Sequence, residues 1–509
     1  MHSVLKFFIG ALIGILLLPY LVIPNKEMPE GCDLTSPFFN CEEVEFLADR
    51  TFRDEVEGKN ILDHNILDTL INEINSSETF LILDFFLWNK WEGKLPKKEN
   101  LIKISENLAQ AIISKRNKDP QVPILIITDP INRLYGNQVP KFFERFASLG
   151  IPVIFTDLSA LPDSNWIYSK QIRFWSKFYA FNLNTNKFRI FPNIVESKGK
   201  RLSFSEFFKS LHLKANHRKI LISGYKNKPH KVIIGSFNPS NGSALNSNLA
   251  VSVSGPIADY VARSELSLIQ WSVNNNGSLL GNRLHLEDAL RTLDRILIKK
   301  NNFKRFALRK TGVQFLSEGS IGRSLIKDIE ASGEGTSIDI AMFYLSDRDF
   351  VKSLKAAAKR GANIRILLDQ NKFAFGFKKM GIPNRSIADE LMQLDEVNSI
   401  QIHWLSAESN AQYHAKAIRI FDKERDLIYI GSANLTRRSL FNFNLESNLV
   451  FNKVLPISNA FDSYFDNIWN NEFGYVESFE YKALKNPKWM QYIRLLFYRF
   501  QEWTQISTR

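Results

Sequence analysis

Two stretches of this 509-residue chain carry the same reactive side chains in the same order. The first reads NHRKILIS (Asn216 to Ser223), then IIGSFNPSNGSALNSNLAVSVSG (Ile233 to Gly255). The second reads YHAKAIRIFD (Tyr413 to Asp422), then YIGSANLTRRSLFNFNLESNLV (Tyr429 to Val450). Each has His-x-Lys on one expected strand and Gly-Ser-x-Asn at the end of the next. Lys219 precedes Gly235 by sixteen residues, and Lys416 precedes Gly431 by fifteen. Residues two apart on a strand share a face, so each His and Lys should point into one pocket. The following hairpin then returns the Ser and Asn to it.

These side chains suit a phosphodiester. Lys219 and Lys416 supply positive charge for nonbridging oxygens, and Ser236, Asn238, Ser432 and Asn434 add hydrogen-bond donors. A histidine near neutral pH can attack phosphorus or protonate a leaving oxygen, so a facing pair gives one nucleophile and one general acid. A lone His-x-Lys carries little weight, since most histidines are ordinary surface or core residues. Of the eight histidines here, only His217 and His414 open a His-x-Lys that leads into Gly-Ser-x-Asn at this spacing.

The elements that must position these groups also occur twice, over about two hundred residues each. The first copy runs through a strand at FLILDFFLWN (Phe80 to Asn89) and a helix from Leu101 to about Lys115. A buried strand at PILIITD (Pro123 to Asp129), a helix near Lys141 to Ser148 and a strand at IPVIFTD (Ile151 to Asp157) complete it. The second has IDIAMFYLSD (Ile338 to Asp347), a helix from Asp349 to Arg360, and NIRILLD (Asn363 to Asp369). A helix around Ser386 to Gln393 and IQIHWLS (Ile400 to Ser406) follow. Strands alternating with helices predict α/β layers around largely buried, mixed sheets.

The doubled motif resembles that of the phospholipase D superfamily, whose signature is His-x-Lys-x4-Asp followed by Gly-Ser-x-Asn. The resemblance covers roughly residues 76 to 475. It implies two phospholipase D-type lobes, pseudo-twofold, with mixed sheets flanked by helices, and a covalent phosphohistidine intermediate formed without metal or cofactor. It further implies His217 as nucleophile and His414 as acid, then base; the residues themselves leave that order open. The chain departs from the pattern where the Asp is due: Gly224 stands there in the first copy. In the second it is Phe421, with Asp422 one residue later. The acidic residue that can orient a histidine is expected at Glu446, and the shared Ser-Asn-Leu places Asn246 as its counterpart.

Composition bounds the rest. Hydrophobic residues are 44% and charged residues 23%, which excludes a disordered chain. A formal charge of +13 favours anionic partners, phospholipid surfaces and nucleic acids alike. Phe7 to Ile23 is uncharged, follows Lys6 and lacks a small-x-small cleavage pattern, so it is expected to stay as a single anchor with the catalytic body outside the cytoplasm. Cys32 and Cys41 could close a small disulfide loop there and give a poor zinc signal. The expected division is an anchor at 1–24, an N-terminal segment at 25–75, lobes at 76–255 and 311–475, a linker with a basic helix at 256–310, and an amphipathic helix at 476–509.

In that last helix Trp489, Ile493, Leu496, Phe500 and Trp503 share one face, while Lys488, Gln491, Arg494 and Glu502 lie largely elsewhere. Such a helix suits a membrane interface or docking on the protein's own core. No aromatic–basic interleaving marks a nucleic-acid platform. Three functions are therefore expected in order: an enzyme acting on phospholipid by hydrolysis or phosphatidyl transfer, a membrane-tethered nuclease, and a non-catalytic phosphate binder. Nothing in the chain speaks to oligomeric state.

Overall fold

The computed structural model describes residues 26–504 except 55–58, 92–100, 137–138, 164, 166–167, 180–188, 193–199, 204–205, 208–209, 211–212, 299–309, 375–376, 394–398, 406–410, 473–474 and 484–486. Before residue 26 it describes 10, 14–15 and 17–23.

Among the described residues two large sheets form. The first comprises Glu43–Asp54 (β1), Lys59–Asp63 (β2), Leu81–Phe85 (β3), Ile124–Thr128 (β4), Val153–Phe155 (β5), Lys219–Ser223 (β6), Lys231–Gly235 (β7), Asn248–Ser254 (β8) and Ser278–Leu280 (β9). Its order is β9-β5-β4-β3-β6-β7-β8-β1-β2. The second comprises Gly312–Ser317 (β10), Ser337–Met342 (β11), Asn363–Leu368 (β12), Ile400–Leu405 (β13), Lys416–Phe421 (β14), Asp426–Gly431 (β15), Ser447–Asn452 (β16) and Ser478–Glu480 (β17). Its order is β10-β16-β15-β14-β11-β12-β13-β17.

The run β5-β4-β3-β6-β7-β8-β1 matches β13-β12-β11-β14-β15-β16-β10 strand for strand. In both, three strands are parallel and the rest antiparallel. Parallel strands need crossovers, supplied by helices Ile104–Lys118 (α1) and Lys141–Ser148 (α2) in one lobe. Further helices before the second lobe include Ser169–Tyr179 (α3) and Pro256–Asn274 (α4), and the crossovers of that lobe are Arg348–Lys359 (α5) and Asn384–Gln393 (α6). Both sheet faces are therefore covered, which is why LILDF and ILIIT are buried throughout rather than alternating.

The inner faces meet. Ile127, Ile220, Ile234 and Val251 share one apolar cluster with Leu367, Ala417, Ile430 and Phe451, and Ile257, Val261 and Leu268 of α4 join it. The outer faces pack separately under their own helices. The interface between the sheets is thus a continuous core, and it fixes the two motif-bearing hairpins against each other.

One expectation needs correcting. Cys32 and Cys41 are free thiols, one buried and one half-buried. Residues between them are held extended along β10, with Ser36 donating to Phe315 and Phe39 to Val313, which keeps the sulfurs from closing a loop. The anchor expected at 1–24 lies largely outside the described residues, and among those described no helix is long and apolar enough to cross a membrane. The basic stretch expected at Arg295 to Lys310 lies mostly outside them too.

Candidate active site

Each histidine sits just before the strand that its lysine begins, β6 for Lys219 and β14 for Lys416. Backbone bridges to the opposite lobe hold these segments. The His217 N–H donates to Leu445 over 2.8 Å, and Leu445 returns one to Ala215 over 2.9 Å. Symmetrically, His414 donates to Ser247 over 2.8 Å, and Ser247 donates to Gln412 over 3.0 Å. Behind each segment stands a buried carboxylate: Asp129 accepts from the Asn216 N–H at 2.7 Å, and Asp369 from the Tyr413 N–H at 2.8 Å.

The side chains of each motif complete the other lobe's histidine. His217 Nδ1 lies 2.9 Å from Glu446 Oε2, and Ser432 Oγ donates to that same oxygen at 2.5 Å. His414 Nδ1 lies 3.0 Å from Asn248 Oδ1, with Ser236 Oγ at 3.3 Å from it. Asn248 Nδ2 donates to the Asn246 carbonyl, which turns Oδ1 to the imidazole as acceptor. Both rings thus carry their proton on Nδ1 and keep Nε2 free to react. Lys219 Nζ donates to the His217 carbonyl at 2.6 Å and lies 5.1 Å above the Phe86 ring. Lys416 does the same with His414 at 2.8 Å and Phe343 at 5.2 Å. Asn238 Oδ1 and Asn434 Oδ1 are buried without a hydrogen-bond partner among the described residues.

The counterpart of Glu446 is therefore Asn248, and the expectation of Asn246 is corrected. Gly235 pairs with Ala250 in the hairpin, whereas Gly431 pairs with Asn448. The connection in the first lobe is two residues shorter, so matching Ser-Asn-Leu by letters slips the alignment by one pleat. Asn246 instead accepts from the Gln412 N–H at 3.2 Å.

The missing Asp positions lie away from this chemistry. Gly224 follows β6 and Phe421 ends β14, five residues past the lysines, or roughly 16 Å along an extended strand. Asp422 is paired with Arg425 in a turn. A third His-x-Lys, His212 to Lys214, precedes the first motif; His212 lies outside the described residues, and Lys214 is engaged by Asp163 and the Leu161 carbonyl.

Burial sets the protonation. It pushes both histidines well below their usual value, and the nearby Lys219 and Lys416 push the same way. Burial raises Glu446 to about 7 against the pull of Lys219 and Ser432, and lowers Lys219 to about 7 despite Glu446, Asp84 and Asp129. Lys416 falls as well, through burial and Lys219. The site thus crowds four basic groups into a desolvated pocket that disfavours their charged forms, and an anionic phosphodiester between the two lysines would favour them.

Sequence reasoning missed Asp129 and Asp369, although both end matching strands in the repeat and that recurrence was a usable signal. It also missed Arg218. This side chain is fully buried, donating to Glu265 at 2.8 Å and to Glu318 at 2.6 Å. Glu318 in turn accepts from the Glu446 N–H at 3.2 Å, linking the strand of His217 to its carboxylate partner. Nothing in the motif marks this, because the second lobe has Ala415 there.

Comparison with known proteins agrees with the geometry. Residues 325–469 match the family model described as cardiolipin synthase, PLD-like domain. No curated protein matches the chain. Among solved structures, phosphatidylserine synthase of Haemophilus influenzae superposes with a TM-score of 0.55 at 13% identity, covering 92% of this chain and 96% of that one. Polyphosphate kinase of Porphyromonas gingivalis gives 0.43 at 10%, over 91% and 54%. The phospholipase D family member Nuc of Salmonella typhimurium gives 0.26 at 21%, over 33% and 97%. The first of these likenesses extends the fold over both lobes.

Proposed function

We propose that this chain is a phospholipase D superfamily protein that breaks a phospholipid phosphodiester through a phosphohistidine on His217, a reading supported by the family match at residues 325–469 and by the two-lobed fold. The observation that carries the reading is the pairing of each histidine, through Nδ1, with an acceptor from the other lobe. His217 Nε2 attacks phosphorus and forms a P–N bond. The bond to the leaving oxygen breaks, and that oxygen takes the Nε2 proton of His414, whose imidazolium form the bound phosphodiester anion stabilises. His414, now neutral, accepts the proton of a water or alcohol whose oxygen attacks phosphorus. The P–N bond then breaks, returning its electron pair to His217. Lys219, Lys416, Asn238, Asn434, Ser236 and Ser432 hold the nonbridging oxygens and the groups around them.

His217 is the nucleophile in this scheme because it has the carboxylate. Glu446 stabilises the positive charge that grows on the ring during attack, whereas the neutral Asn248 only orients His414 and leaves it a better acid. The phospholipid substrate is supported by the phosphatidylserine synthase-like fold and the cardiolipin synthase-like domain. The apolar run at residues 7–23 supports an anchor at 1–24, with lobes at 76–255 and 311–475 held at a membrane.

The test uses the protein with His217→Ala and His414→Ala variants, in EDTA. Each is given phosphatidylglycerol or phosphatidylethanolamine vesicles, and separately labelled single-stranded DNA. Phosphatidic acid lost in both variants marks hydrolysis, and a cardiolipin-like product marks transfer. Cleavage of DNA alone assigns a nuclease. Turnover of neither, with phosphate retained at the site, assigns a binder.

A further inference from the structure

The C-terminal helix Lys488–Thr504 (α7) is docked back to front. Its buried face is polar: Tyr498 donates to the Ser346 carbonyl at 2.8 Å, and Arg494 is buried beside Asp389 and Arg385 of α6. Its apolar face points to solvent, with Trp489, Tyr492, Leu496, Phe500 and Trp503 each more than half exposed and Phe497 beside them. Burying the polar side while exposing seven large apolar residues, Ile493 included, reverses the arrangement that folding alone favours.

The face is not isolated. Asn165 Nδ2, just before α3, donates to the Thr504 carbonyl at the end of α7 at 2.6 Å. Gln171 in the first turn of α3 hydrogen-bonds Tyr20, within the described residues 17–22 of the N-terminal run. There Leu17, Leu18, Leu21 and Val22 are exposed too, Leu21 at 84%. The two apolar surfaces thus flank the same end of α3. Arg438, whose charge is felt by Tyr168 beside α3 and which is itself influenced by Glu502 of α7, donates to the Leu213 carbonyl, four residues before His217.

We propose that α7 and residues 17–22 form one lipid-embedding surface that seats the molecule on an anionic phospholipid bilayer beside the segment carrying His217. A bilayer is the occupant that fits: the face is one-sided and rich in tryptophan and phenylalanine, exposed Lys488 and Arg499 stand at its margins, and the chain carries +13. The inference rests on the phospholipid reading for what the seating serves, and its test separates the two.

The full chain is floated with phosphatidylglycerol/phosphatidylcholine vesicles beside Leu496→Ser/Phe500→Ser/Trp503→Ser, Leu17→Ser/Leu21→Ser, and the five changes combined. All five positions are exposed, so folding is preserved. The α7 variant should lose at least ~10-fold in vesicle affinity, and the combination should lose more than either set alone. Turnover of water-soluble dihexanoyl phosphatidylglycerol should be unchanged. An α7 variant that floats like the parent overturns the inference. So does a parent dimer that the α7 changes dissociate while vesicle binding survives, which would assign the face to a second copy. A parent that floats through α7 yet never cleaves the soluble lipid overturns the proposed function alone.

Discussion

Glu446 lies 229 residues beyond His217 in the chain, yet its Oε2 is 2.9 Å from His217 Nδ1. His414 has no such carboxylate and meets Asn248 instead. One pseudo-symmetric frame therefore holds two histidines of different character, and that asymmetry can be tested.

Glu446→Gln keeps the shape of the contact and removes the charge that steadies a forming imidazolium. kcat should fall about 10²–10⁴-fold, with KM little changed. Asn248→Ala should cost less, about tenfold to a hundredfold, because only the orientation of His414 is lost. Asn246→Ala should be near neutral in kcat. Equal losses at Asn246 and Asn248 would sink the structural alignment.

The pH dependence of kcat/KM reports the free enzyme. Activity should rise with pH as Glu446 ionises through about 7, and fall as Lys219, also lowered to about 7, gives up its proton. A narrow optimum near neutrality is expected. A bound phosphodiester favours charged Lys219, so the alkaline limb of kcat should lie higher than that of kcat/KM. In Glu446→Gln the acid limb near 7 should vanish; a limb that stays put would assign it to another group.

Restoring the signature Asp should not help. A Cβ at Gly224 would stand 2.3 Å from Phe80 Cδ1 and from Thr79 Oγ1. Gly224→Asp should therefore destabilise by about 1–3 kcal/mol in denaturant melts. Any surviving folded protein should keep the parent kcat. A gain in activity would show that the missing carboxylate had mattered.

Arg218→Met leaves Glu265 and Glu318 buried without their cation. A loss of about 3–5 kcal/mol is expected, read as a lowered Tm. Arg218→Met with Glu265→Gln and Glu318→Gln should recover part of it. If the single change leaves Tm unmoved, the three side chains are not the joint between the lobes.

Some of this was legible in the residues alone. The pairing of His-x-Lys with Gly-Ser-x-Asn is local chemistry on a strand and hairpin, where spacing dictates which side chains share a face. The repeat likewise announced itself, since buried parallel strands such as ILIIT and NIRILL need unbroken apolar runs. Asp129 and Asp369 stood in view at the ends of those runs.

What the letters could not determine was everything set across the interface. Which lobe's acidic residue serves which histidine depends on how the two sheets pack, and hydrophobic packing leaves no local spacing to read. The two-residue difference in loop length, which makes Asn248 rather than Asn246 the partner of His414, is decided by strand register in the hairpin. For α7, periodicity identified the apolar face but not its direction. Only the tertiary structure decided that: Tyr498 is buried with its hydroxyl donating to the Ser346 carbonyl and Arg494 is buried beside Asp389, which turns the apolar stripe outward.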